Sequence, residues 1–185
     1  MNKYFIIFFT FFCIFSFSQE RRITRAANQE ESLNIAIEKY NKAIELNNDF
    51  NTAKFNLANS LYYEEEYEQS IDLLEDVIST ENNKIKKANA YYNKGKNEIL
   101  LYENNKENVT FLEDASNSFR EALRNNPNDN DARFNLEKCL SMLNELEDEQ
   151  EKDKENQESE DEQEKDKENQ ESEDEQEKGK ENQES

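Results

Sequence analysis

The side chains best placed to do chemistry are pairs one helical turn apart: Phe55 with Asn59, Tyr92 with Lys96, and Phe134 with Lys138. Residues at i and i+4 share a helix face, so each pair sets an aromatic ring beside an amide or an ammonium. That combination suits recognition, because a ring anchors a bound chain at small entropic cost and an ammonium meets a carboxylate. The same spacing also fits a ring that packs inward and a lysine that stays solvated. Groups for catalysis are scarce. There is no His, and with it go the commonest general base and the commonest zinc ligand. Neither a Gly-rich phosphate loop nor a His/Asp/Glu metal spacing on one helix face occurs. Cys139 has Leu136, Leu140 and Leu143 as neighbours and no His to activate it, which predicts a packed, inert thiol. The expectation is a protein with no catalytic residues, no metal site and no cofactor.

Two of the three pairs sit inside nearly identical words, AKFNLANSL at 53–61 and ARFNLEKCL at 132–140, 79 positions apart. The elements carrying them are helical by pattern. Apolar residues recur at three- and four-residue spacing over Ser32–Leu46, Ala53–Tyr63, Tyr67–Ile78, Leu112–Leu123 and Asp131–Leu146, and period-two alternation is absent. Breaks fall at Asn47–Asp49, Glu81–Asn83 and Asn125–Asn128, all turn and capping chemistry. Two Gly and one Pro in 185 residues leave little room for a turn-rich all-β fold. Short helices on short turns predict antiparallel helix pairs.

The two ends are different material. Lys3, the apolar run 4–17 and the small-x-small site Ser16-Phe17-Ser18 read as an export signal over residues 1–18. The run is 14 residues long, short of the roughly 20 needed to span a bilayer, so a cleaved signal is favoured over an uncleaved membrane anchor. Cleavage removes Cys13 and leaves one thiol, so stability must come from the core without a disulfide. Residues 147–185 are three 13-residue copies of EDEQEKDKENQES, the third with Gly179 in place of Asp. They hold 20 of the 44 acids and 6 of the 23 bases, hence −14 of the net −21, and no apolar residue. Such a segment cannot offset its ordering entropy and is expected to be a disordered acidic tail. The acidic balance argues against nucleic acid as a partner. Three domains are therefore expected: a signal over 1–18, a helical domain over 19–146 and the tail over 147–185.

The helical domain resembles the tetratricopeptide repeats (TPR), arrays of 34-residue helix–turn–helix units. Ala115, Phe119, Ala122 and Pro127 stand at the spacing of that family's second helix. Ala36, Tyr40, Ala43 and Asn48 repeat it, and Ser70, Leu74, Val77 and Asn82 repeat it more loosely. First-helix signatures lie at 53–59, 90–96 and 132–138. Two periods make 68, and the remaining 11 of the 79 residues divide into three in the linker Glu81–Lys87 and eight near Glu103–Thr110, read as a loop or an added helical turn. Lys94 departs from the pattern by replacing a core Leu, Leu61 replaces a Tyr, and the opening helix is cut to about Arg22–Ala27.

The resemblance implies an all-α solenoid of about three repeats plus a final capping helix, binding protein partners in a concave groove. In that family the fifth and ninth positions of each repeat face the groove, which places there Phe55, Asn59, Tyr92, Lys96, Phe134 and Lys138. The order of export signal, repeats, the segment EALRNNPNDNDARFNLEKCL and a charged tail further resembles the BatC-type TPR proteins of the Bacteroidetes aerotolerance (Bat) operon. That narrower likeness implies a periplasmic adaptor linked to stress tolerance. It would be membrane-associated through partners, namely membrane-anchored von Willebrand factor A-domain proteins. A rival reading makes the acidic tail a low-affinity cation buffer, or the chain an assembly chaperone of the exported space. The tail lacks the ligand ladder of a calcium loop.

Overall fold

Each stretch expected to be helical is helical. The computed structural model describes residues 19–152; the expected signal over 1–18, Cys13 within it, and the acidic copies beyond residue 152 lie outside the described residues. Seven helices occur among the described residues and no strand. They are α1 (19–27), α2 (Leu33–Leu46), α3 (Asn51–Tyr63), α4 (Tyr67–Thr80), α5 (Lys84–Asn104), α6 (Thr110–Asn125) and α7 (130–152). From α2 to α6 each helix packs on the next, Ala27 of α1 packs with Ala36 and Tyr40 of α2, and Asn135 of α7 reaches Tyr92 of α5; α1/α2, α3/α4 and α5/α6 are three hairpins and α7 closes the series. The described residues up to Leu140 form one compact unit, and residues 141–152 beyond it continue as helix.

Small residues set the spacing of this stack. Ala36, Ala43, Ala53, Ala58, Ala88, Ala90, Ala115, Ala122 and Ala132 are all buried, and long side chains fill the gaps they leave. Ala27, Ala36, Tyr40 and Leu57 make one cluster across the first two hairpins, closed by Ile37, Ile44, Leu61 and Leu73. Leu61, the departure from the expected Tyr, therefore serves as packing. Ala58, Leu74, Val77 and Ala90 make a second cluster with Phe55, Leu73 and Ile78 against it. In the third hairpin Phe119 is fully buried over Gly95, where an added Cβ would stand 2.8 Å from the ring's Cζ. Ala58 over Leu74 and Gly95 over Phe119 are the same joint in two sizes.

Three boundaries differ from the sequence reading. The linker after α4 is Glu81–Asn83 alone, because the Asn83 side chain accepts from the Lys86 amide at 3.1 Å and caps a helix that already includes residues 84–87. The extra length near Glu103–Thr110 divides between helix and loop. Buried Leu101 and Tyr102 hold α5 helical to Asn104, and a turn over 105–109 follows. Helix α7 does not stop at Leu146 and runs on through Lys152, six residues into the expected tail. Asp129 caps its start, its Oδ1 accepting from the Ala132 amide at 3.0 Å.

Lys94, which replaces a core Leu, is accommodated by charge. Its ammonium lies 2.8 Å from Glu98 Oε1 and 3.2 Å from Glu75 Oε1, while Ser118 Oγ donates to Glu98 Oε2 at 2.6 Å. Burial pulls the Lys94 ammonium down, but Glu98 and Glu75 outweigh it and hold the group above its usual value. Burial likewise pushes the Glu98 carboxyl up, and Lys94 and Ser118 offset that only in part. Lys54, almost fully buried, is paired with Asp76 of α4 in the same manner.

Candidate functional site

Helices α3 and α5 open two successive repeats and lie in one direction, as the register along their seam shows. Asn51, Thr52 and Phe55 meet Lys86 and Asn89 at one end; Asn59, Tyr62 and Tyr63 meet Asn93, Lys96 and Asn97 at the other. Each end holds a cleft. The first, about 120 Å³, is lined by Phe55 and Val77 together with Glu81 and Lys86. The second, about 230 Å³, is lined by three amides, two phenols and one ammonium.

That ammonium, Lys96, stands 4.3 Å from the centre of the Tyr62 ring. A cation over the face of an aromatic ring is attracted by its quadrupole, and this seating fixes the charge at the cleft. Among the described residues Lys96 forms no ion pair, unlike Lys39, Lys54 and Lys94. Tyr62 packs edge-on to Tyr63 and Tyr67, with ring centres 5.4 and 6.0 Å away. Burial, then its phenolic neighbours and Glu103, pushes the Tyr62 phenol above its usual value, so it presents a neutral hydroxyl at physiological pH. Tyr63 beside it is 73% exposed.

The six residues singled out from sequence are divided by the structure. It brings Asn59 and Lys96 together on the polar cleft. Phe55 lines the apolar one while packing against the second core cluster. Tyr92 is half-buried; its ring meets Phe119 edge-on at 5.8 Å, and its hydroxyl accepts from Asn135 Nδ2 across a long 3.4 Å. Phe134 is 67% exposed and Lys138 is exposed, both on α7 and away from either cleft. The three rings therefore occupy three different environments.

A second set went unread in the sequence. Asn56, Asn93 and Asn135 each follow the aromatic of a repeated word, and each reaches back one repeat. Asn56 Nδ2 donates to Asn28 Oδ1 at 2.9 Å, Asn93 Nδ2 to Asn59 Oδ1 at 2.7 Å, and Asn135 Nδ2 to the Tyr92 hydroxyl. The signal was the dipeptide itself, aromatic then Asn, in all three words. Asn97 carried no such mark. It is 1% exposed and donates to the Asn93 carbonyl at 2.7 Å, leaving its Oδ1 without a donor.

Cys139 is fully buried and burial raises its thiol to about 11. Among the described residues no cluster of acids and thiols could hold a metal ion, and no helix is long and apolar enough to cross a membrane.

No family model matches this chain, and no curated protein does. Solved structures do. The first TPR of Spaghetti (RPAP3), bound to the HSP90 peptide SRMEEVD, superposes with a TM-score of 0.59 at 17% identity over 68% of this chain and 94% of that one. The C-terminal TPR-containing domain of a putative FK506-binding protein from Plasmodium falciparum gives 0.58 at 22% identity, covering 72% and 93%. The TPR2AB domain of yeast Sti1, in complex with pHSP90, gives 0.58 at 21% identity, covering 71% and 50%. At these identities the likeness is one of fold, and the fold is the TPR helical-hairpin array.

Proposed function

We propose that this chain is a non-enzymatic adaptor that grips an extended segment of a protein partner along the α3/α5 seam. The observation that carries this reading is the polar cleft, where an unpaired ammonium seated on Tyr62 meets three amides and an exposed phenol. One solved structure of similar fold is bound to an HSP90 peptide and another is in complex with pHSP90, which supports a peptide-holding use of such a seam. The signal-like residues 1–18 support an exported, periplasmic site of action, with an inner-membrane anchor as the runner-up. The Bat-operon likeness of residues 121–140 supports an envelope complex serving stress tolerance, with membrane-anchored von Willebrand factor A-domain proteins as the partners.

The test is site-specific photo-crosslinking in cells. A benzophenone at Tyr63, beside the cleft, should capture a partner that a benzophenone at Ile35, exposed on α2, does not. Lys96→Ala together with Asn59→Ala should abolish the Tyr63 adduct. Capture from Ile35 alone overturns the groove reading.

A further inference from the structure

The polar cleft has one amide donor to spare. Asn59 Oδ1 is engaged by Asn93, which leaves Asn59 Nδ2 without a partner among the described residues. Asn97 lies beneath the cleft, closed off from solvent, its Nδ2 engaged by the Asn93 carbonyl. The free N–H of Asn59 favours an occupant that supplies an acceptor. A peptide carbonyl is that complement.

Charge sets the second requirement. Lys96 is the one ionic group lining this cleft, in a molecule of net −21. One ammonium matches one carboxylate, while a segment with several acids would be repelled by the protein as a whole. A chain terminus next to an acidic side chain brings two charges to a single cation. An internal segment with one acidic residue brings one.

The third requirement is apolar. An engineered cavity of about 150 Å³ holds benzene, so the cleft over Phe55 and Val77, at about 120 Å³, takes an aliphatic side chain. Phe55 to Tyr62 on α3 and Asn89 to Lys96 on α5 are both seven residues, a rise of about 10 Å. An extended chain covers that in about three residues, and in polyproline-II geometry residues i and i+3 face the same way.

We infer that the α3/α5 seam binds an internal extended segment: its main chain read by Asn59, one Asp or Glu on Lys96, and one aliphatic residue three positions away over Phe55. This rests on the groove reading above and adds the chemistry of the occupant.

The experiment is selection from a display library of random twelve-residue segments tethered at both ends, using the full chain, followed by anisotropy titration of the enriched segments as N-acetylated, C-amidated peptides. Expected is enrichment of an aliphatic residue three positions from a single acid, with at least tenfold weaker binding when that acid becomes Asn or Gln. With Lys96→Gln that acid loses its advantage and the aliphatic preference persists, and far-ultraviolet dichroism confirms the variant is folded. Segments that crosslink to benzophenone at Tyr63 yet lack the pair overturn this inference and leave the groove reading standing. So does enrichment only from a second library displayed with a free C-terminus. Failure of every enriched segment to crosslink at Tyr63, or no enrichment from either library, overturns both.

Discussion

At the scale of single residues, Glu65 carries a cost the sequence did not announce. Its φ of 63° places a non-glycine residue in the left-handed region at the turn between α3 and α4. An L side chain there costs about 1–2 kcal/mol, partly regained by the smaller chain entropy lost relative to Gly. Glu65→Gly should therefore stabilise the protein by up to about 1 kcal/mol, seen as a higher urea midpoint at unchanged slope. A fall in the midpoint would show that the side chain makes contacts worth more than the strain. Cys139 gives a prediction in pH. Its thiol is raised from 9.0 to about 11 in the folded state, so between those values the unfolded chain loses its proton and the folded chain keeps it. The group's contribution is complete below pH 9 and declines as pH rises toward 11. Cys139→Ala should show less alkaline loss than wild type in urea titrations at pH 8 and 10.5, and native Cys139 should resist alkylation at neutral pH.

At the scale of elements, the joint between a first and a second helix is the unit that repeats. In the third hairpin the joint is Gly95 against Phe119, with no room for a methyl group. Gly95→Ala should destabilise by about 1–3 kcal/mol through overpacking, despite the better helix propensity of Ala. Phe119→Leu copies the Ala58/Leu74 joint and should relieve most of that cost, so that the double variant loses less than the two single ones together. Additive losses by thermal unfolding would show the two positions to be uncoupled. This joint also explains what was readable. Gly95 and Phe119 stand at pattern positions, as do Ala58 and Leu74, because stacking permits few combinations of size. Lys94 was not readable as core, since its ammonium is neutralised by Glu98 one turn on and by Glu75 from another helix. Nothing local to Lys94 names Glu75. The aromatic at the third position of each word was ambiguous for a similar reason: Phe55, Tyr92 and Phe134 have like neighbours in sequence, and only the next repeat determines what each ring meets. For Phe134 no further helix hairpin follows α7 among the described residues, and the ring stays exposed.

At the scale of the whole molecule, charge and stacking act on stability and binding with opposite sign. Residues 19–146 carry 24 acids and 16 bases, a net −8, so the helical array repels itself even apart from the acidic copies that follow. A solenoid in which each hairpin rests only on its neighbours has no distant contacts to counter that repulsion, and the one thiol among the described residues forms no disulfide. Salt shortens the reach of the repulsion, from about 30 Å at 0.01 M to about 8 Å at physiological strength, while buried pairs such as Lys94 with Glu98 are screened far less. Raising salt over that range should therefore raise the melting temperature of the full chain. The same change should weaken an acidic segment at Lys96, whose ammonium lies at a cleft open to solvent. Melting curves and anisotropy titrations across one salt series check both. Stability rising while affinity falls is the expected pair of trends. If affinity instead rose with salt, burial of apolar surface would outweigh the Lys96 carboxylate contact, and the cleft over Phe55 and Val77 would be the part of the seam that decides what the protein holds.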